Sequence, residues 1–305
     1  MILVTGGTGL VGTALKATTT DAYFLSSKEC DLTNFQQTSS LIQKIKPSKI
    51  IHAAAKVGGV KNNSDNNGIF FRDNALININ VLESARLAGV PTVCSLLSTC
   101  VYPDRVEYPL VEESIHNGEP HPSNFGYAYA KRMLEVQSRS YREQWGCNYF
   151  CLVPNNLYGI NDNFHLEDSH VIPAIIRKVY ESKNNNSDIV LWGDGSPLRE
   201  FTFAPDLASL MVHLLDFYDS PQILNVGSEE EVSIKQVAET VCEILDVDPK
   251  RIIWDTSYPS GQLKKPSDHK KLKKIIDFDY TKLYDGLKIT CEWFEKTYPN
   301  IRGYK

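Results

Sequence analysis

No stretch of this 305-residue sequence stays apolar long enough to cross a membrane, which excludes a helical membrane-spanning protein. Its seven cysteines are an odd number and include no C-x-x-C pair, so the expectation is reduced thiols in a cytosol-like compartment rather than a disulfide framework. Nor does a metal-ligand pattern stand out. A basic excess is missing too: 32 Lys+Arg against 37 Asp+Glu leaves a formal charge of −5. That argues against broad nucleic-acid binding, while a local basic pocket could still hold a small anion. Internal repeats and low-complexity linkers are absent. Asn62-Asn63-Ser64 and Asn185-Asn186-Ser187 fit the glycosylation pattern. The first strand is expected from residue 2, which leaves no room for a secretory leader, so both are read as plain loops of a cytoplasmic protein.

What is present begins at once. The apolar run Ile2-Leu3-Val4-Thr5 is followed by Gly6-Gly7-Thr8-Gly9-Leu10-Val11-Gly12, which fits both G-x-x-G-x-x-G and G-x-G-x-x-G. The pattern predicts a strand, a tight turn and a helix whose N-terminus can face the diphosphate of a dinucleotide. Strands are expected at 2–4, 23–25, 50–52, 93–97 and 149–153, and helices at 10–16, 35–45, 74–87 and 127–144. This alternation implies an α/β fold: a doubly wound parallel Rossmann sheet covered on both faces. The second half is less regular. Helices are expected at 171–183 and 206–218 and from Ser233, with a short strand at 189–192. It reads as a smaller α/β substrate-binding lobe. The expected division is 1–163 plus 201–226 for the nucleotide-binding part and 164–200 plus 227–305 for the lobe. The lysine-rich stretch 264–274 reads as solvated surface.

Three further features carry chemistry. The second strand ends in Ser26-Ser27-Lys28, with no carboxylate where a ribose 2′-hydroxyl would need one. Two hydroxyls and an ammonium suit a 2′-phosphate, which favours NADP(H); alternatively Glu29 or Asp31 reaches the ribose. Tyr127 and Lys131 share one helical face, where an ammonium can favour the phenolate and relay a proton to or from a carbonyl oxygen. Ser98-Thr99-Cys100 follows the fourth strand at the end where such sheets bind ligands. Ser98 can hydrogen-bond a substrate oxygen. Cys100 is either a carbon acid/base beside a carbonyl or a small buried apolar residue, and His170 is either catalytic or structural.

Taken together, these segments resemble the GDP-L-fucose synthases of the extended short-chain dehydrogenase/reductase family. The resemblance runs through Gly6–Gly12, Ala53-Ala54-Ala55-Lys56-Val57-Gly58-Gly59, Ser98–Pro103, Tyr127–Lys131, Pro154-Asn155-Asn156-Leu157-Tyr158-Gly159, Asp162–His165, Ser169–Ala174 and Trp192–Phe201. It implies an NADPH-dependent enzyme acting on GDP-4-keto-6-deoxy-D-mannose, with Cys100 and His170 as the acid/base pair for inversion at C3 and C5. It further implies that Ser98, Tyr127 and Lys131 support reduction at C4. On the same footing, Gly6, Thr8, Gly9, Leu10, Val11, Gly12, Ser27, Lys28, Asp31, Leu32, Ala53, Ala54, Ala55, Lys131, Pro154, Asn155, Asn156, Leu157 and His170 line the cofactor. Asn156, Lys178, Trp192 and Arg199 meet the GDP-sugar, and a homodimer forms through the helices around 74–87 and 127–144. Departures from the family pattern are Thr8 and Ser27-Lys28 where some bacterial members carry arginines, Asn155 for a common threonine, and Ser260 for a frequent aspartate.

Overall fold

The computed structural model describes residues 1–258 and 263–304, apart from the side chains of Val60 and Lys61. In the first half, strands β1 (Ile2–Thr5), β2 (Ala22–Leu25), β3 (Lys49–His52), β4 (Thr92–Leu96) and β5 (Asn148–Pro154) alternate with helices α1 (Leu10–Thr18), α2 (Phe35–Ile45), α3 (Val60–Asp65), α4 (Asn67–Leu87) and α5 (Phe125–Trp145). The second half continues with β6 (Asn156–Tyr158), α6 (Val171–Asn185), β7 (Ile189–Trp192), β8 (Leu198–Phe203), α7 (Ala204–Phe217), β9 (Leu224–Val226), β10 (Glu231–Ser233), α8 (Ile234–Ile244), β11 (Ile252–Asp255), α9 (Lys270–Ile275) and α10 (Leu283–Thr297).

The main sheet runs β2-β1-β3-β4-β5-β9 and is parallel throughout. The strand order reverses at β1, so a crevice opens at the carboxyl ends of β1 and β3. Side-chain alternation explains the double covering. Along β5, Tyr149, Cys151 and Val153 join the core under α2, α4 and α5, while Phe150 and Leu152 join the core under α1 and α7. Burial on both faces is why these strands read as unbroken apolar runs.

After β5 the chain leaves this sheet. β6 pairs in parallel with β8, β10 adds to β8 antiparallel, and β7 pairs with β11. These strands and α6, α8 and α10 enclose a second core, with Ile176, Phe201, Val241 and Phe294 among its buried members. β8 then runs straight into α7, which returns to the first core. Ser233 caps α8 through a reciprocal pair of bonds with Gln236.

Two glycines set the shape of the first turn. Gly6 lies at φ +73, and a β-carbon there would stand 2.9 Å from the Ala54 nitrogen. At Gly12 a β-carbon would stand 2.3 Å from the Gly6 carbonyl oxygen, so α1 packs directly on the turn. Gly12→Ala is therefore expected to lower folding stability by about 1–3 kcal/mol through overpacking, read from urea denaturation. A variant as stable as the parent would contradict this close approach.

Candidate active site

The carboxyl end of β4 turns sharply. Ser98 is extended and its Oγ accepts the Cys100 N–H at 3.4 Å, capping a short 3-10 turn over Thr99–Val101. Cys100 is half-buried, and Asn124 Nδ2 donates to its sulfur at 3.1 Å. α5 brings Tyr127 to the same place. Burial, reinforced by the neighbouring Cys100, pushes the Tyr127 phenol above its ordinary value. The Lys131 ammonium sits 5.8 Å from the Tyr127 ring centroid and donates to the Leu96 carbonyl at 2.6 Å. Burial holds its pKa down to about 8. Burial therefore sets the direction at Tyr127, upward rather than the lowering expected from a neighbouring lysine. Across neutral pH Tyr127 is a proton donor.

Behind this pair runs a chain of buried hydrogen bonds. The Thr5 hydroxyl meets His52 Nδ1 at 2.8 Å, His52 Nε2 meets Asn78 Oδ1 at 3.1 Å, and Asn78 Nδ2 donates to the Ala130 carbonyl at 3.1 Å. Thr5 Oγ1 also accepts the Ala54 N–H at 3.2 Å. Burial, with the Lys131 charge nearby, holds the His52 pKa down to about 3, so the imidazole is neutral.

At the glycine turn, Gly9 is the N-cap of α1, Thr8 is exposed, and Leu10 and Val11 form its first turn. Half-buried Ala53, Ala54 and Ala55 follow β3, with Ala54 against Gly6. The carboxylates near β2 are engaged elsewhere. Glu29 accepts from Tyr23 and from the backbone and hydroxyl of Ser26. Asp31 accepts from the backbone and hydroxyl of Thr33. Ser27 and Lys28 remain exposed beyond the strand.

Asp31 shapes the turn after β2 by accepting from Thr33. Leu32 is a core residue whose carbonyl accepts from Asn80 at 2.9 Å. Asn155 is buried, donating to Ser228 O at 2.8 Å and accepting from Thr202 at 2.6 Å, so its amide holds the β5–β6 crossing. Pro154 ends β5, Asn156 is exposed, and Leu157 packs partly against the first core.

On the second lobe, Lys178 donates to Val190 O at 2.8 Å and lies 5.5 Å over the Trp192 ring. Trp192 stacks on Tyr258 with centroids 4.4 Å apart and planes 8° apart. Arg199 is half-buried on β8. His170 is the N-cap of α6, and its ring makes no capping bond. Lost hydration and the charge of Arg302 push its pKa down. Ser260 lies outside the described residues.

The sequence reading misses Asn124, Lys265 and Arg302. Lys265 belongs to the lysine-rich stretch taken for surface, yet burial lowers its pKa, and Cys100, Arg199 and Asp104 are the charges that act on it. Lys270, in the same stretch, does point to solvent.

The family model for the NAD dependent epimerase/dehydratase family matches residues 2–227. A GDP-L-fucose synthase of Dictyostelium discoideum is 43% identical, over 99% of this chain and 97% of that protein. A probable GDP-L-fucose synthase of Drosophila melanogaster is 40% identical, over 99% of each. The crystal structure of a GDP-L-fucose synthetase from Naegleria fowleri bound to NADP superposes with a TM-score of 0.93 at 37% identity, covering 99% of this chain and 94% of that one.

The neutral His52 carries a pH signature. In the unfolded chain a histidine binds a proton below about pH 6.5, whereas folded His52 does so only near pH 3. The unfolded state therefore binds more protons in that window, and stability is lost as pH falls from about 6.5 toward 3. His52→Gln is expected to flatten this loss by up to one proton's worth, about 1.4 kcal/mol per pH unit, in urea titrations at pH 4.5 and 7. An unchanged slope would remove His52 as its source.

Proposed function

We propose, from the premise that this chain belongs to the NAD dependent epimerase/dehydratase family, that it converts GDP-4-keto-6-deoxy-D-mannose to GDP-L-fucose with NADPH. One observation carries the reading: the Cys100 thiol lies near enough to the Tyr127 phenol to help keep it protonated. An acid/base for carbon beside a donor for a carbonyl oxygen is the set needed to invert the neighbours of a ketone and then reduce it.

The glycine turn fits a dinucleotide, because Gly6 and Gly12 let the turn pack against Ala54 and α1 against the turn, which leaves the N-terminus of α1 to face a diphosphate. Ser27 and Lys28 are the groups left for a 2′-phosphate, and Ala53–Ala55 form the opposite wall. When bound, NADPH supplies a hydride to C4. Ser98 and Tyr127 hold the C4 oxygen, and their hydrogen bonds polarise the ketone so that the C3 and C5 hydrogens become acidic. Neutral His170 accepts a proton from carbon and Cys100 returns one. Tyr127, kept protonated by burial, then donates to the alkoxide. Lys131 keeps a positive charge beside it below about pH 8. Trp192 and Tyr258 offer a stacked aromatic surface for the guanine, and Lys178, Arg199 and Lys265 offer cations for its diphosphate.

The proposed division is 1–163 plus 201–226 for the nucleotide-binding part and 164–200 plus 227–305 for the substrate-binding part, with Tyr158, Phe201 and Phe203 of the first reaching into the second core and Leu272 of the second reaching back. The protein works as a homodimer in the cytoplasm. Exposed Ile69, Leu76 and Ile79 on α4 and Phe125, Tyr129 and Val136 on α5 support a helical pairing face, and the free thiols support a reducing compartment.

The test is NADPH oxidation in deuterated water with GDP-4-keto-6-deoxymannose against a UDP-linked ketosugar. Cys100→Ser should cut deuterium uptake at carbon by about 100-fold or more with nucleotide binding intact. Tyr127→Phe should cut reduction by about 100- to 10,000-fold while exchange at carbon persists. A C4 inversion without net NADPH consumption, or full-rate exchange in Cys100→Ser, would sink the assignment.

A further inference from the structure

Arg302 is remote from the glycine turn in sequence and beside it in space. Its Nη1 stands 3.9 Å from the point a β-carbon on Gly9 would occupy. Gly9 caps α1 without a side-chain bond, and the first turn of that helix holds no acidic residue. A guanidinium and a helix N-terminus, both positive, therefore face the same space.

The backbone that presents Arg302 is tightly held. Its carbonyl accepts the Phe164 N–H at 2.9 Å. Buried Arg177 donates to the carbonyls of Gly303 and Tyr304 at 3.0 and 3.2 Å. Gly303 lies at φ +79, where a β-carbon would meet Asn163 Oδ1. Asn161 closes the same rim by donating to Thr8 O at 3.2 Å and to Thr13 Oγ1 at 2.9 Å. By contrast, the guanidinium itself makes no hydrogen bond or ion pair among the described residues. Its charge reaches Asp162, a buried acid whose carboxyl is pushed up to about 7 with one oxygen unpartnered, so this carboxyl neutralises Arg302 only in part near neutral pH.

Resting on the dinucleotide reading above, we propose that Arg302 binds the cofactor's diphosphate, clamping it against the N-terminus of α1. An anion placed there is attracted by both positive features and turns their mutual repulsion into charge-assisted hydrogen bonds. The diphosphate is common to NADPH and NADH, whereas Lys28 faces the group that distinguishes them.

The experiment is equilibrium titration of wild type, Arg302→Ala, Arg302→Lys and Lys28→Ala with NADPH and with NADH, followed by nicotinamide fluorescence or calorimetry. Arg302→Ala should weaken both nucleotides about tenfold, Arg302→Lys should recover part of the loss, and Lys28→Ala should weaken NADPH alone. Nucleotide-free melting temperatures should match wild type in both Arg302 variants. Wild-type affinity in Arg302→Ala, a loss confined to NADPH, or a loss explained by a lowered melting temperature would each overturn the assignment. Failure of the wild type to bind either nucleotide would instead overturn the reading on which it rests.

Discussion

Lys131 and His52 are both buried and within reach of each other's charge, so at neutral pH only one of them carries it. The lysine keeps its proton, supported by the Leu96 carbonyl, and the histidine gives its own up. That choice orients everything around it. Asn78 spends its N–H on Ala130, so its oxygen accepts from His52 Nε2, and Nδ1 is left to accept from the Thr5 hydroxyl. The ends of β1 and β3, the middle of α4 and the start of α5 are thereby tied by one directional chain. The turn that cradles a nucleotide and the helix that carries Tyr127 share their scaffold.

Desolvation is the common currency of the site. It keeps Tyr127 protonated, trims the basicity of Lys131 and His170, and leaves Lys265 close to Cys100 with a weakened hold on its proton. A chain with a formal charge of −5 thus keeps Lys131 beside Tyr127 and brings Cys100 and Arg199 within reach of Lys265. Overall charge and local potential point in opposite directions, as a binder of small, highly anionic nucleotides requires.

The first half of the fold was legible because its strands are buried on both faces and its helices are amphipathic. α2 falls on the residues its pattern indicates, and β1 follows from four apolar or β-branched letters. α4 starts at Asn67, well before the periodic stretch, because its polar opening and exposed Ile69 and Phe71 blur the pattern. β8 was hidden for the opposite reason: Glu200 and Thr202 are polar and buried, satisfied by Ser267 and Asn155 rather than by water. At the site, Cys100, Tyr127 and Lys131 could be placed by strand ends and helical spacing. Asn124, Lys265 and Arg302 could not, because each reaches the crevice through tertiary packing that no local period encodes.

The chain does not finish one core before starting the next. It leaves the main sheet at Asn155, returns where Phe203 meets Ala204, departs again after β9, and sends Leu272 back to the first core before α10 closes the second. Neither core can melt without pulling on segments built into the other. Two bodies joined by a single linker would come apart in separate steps; this interleaving favours loss of structure as one cooperative unit, in which a weakness introduced in either core is felt by both.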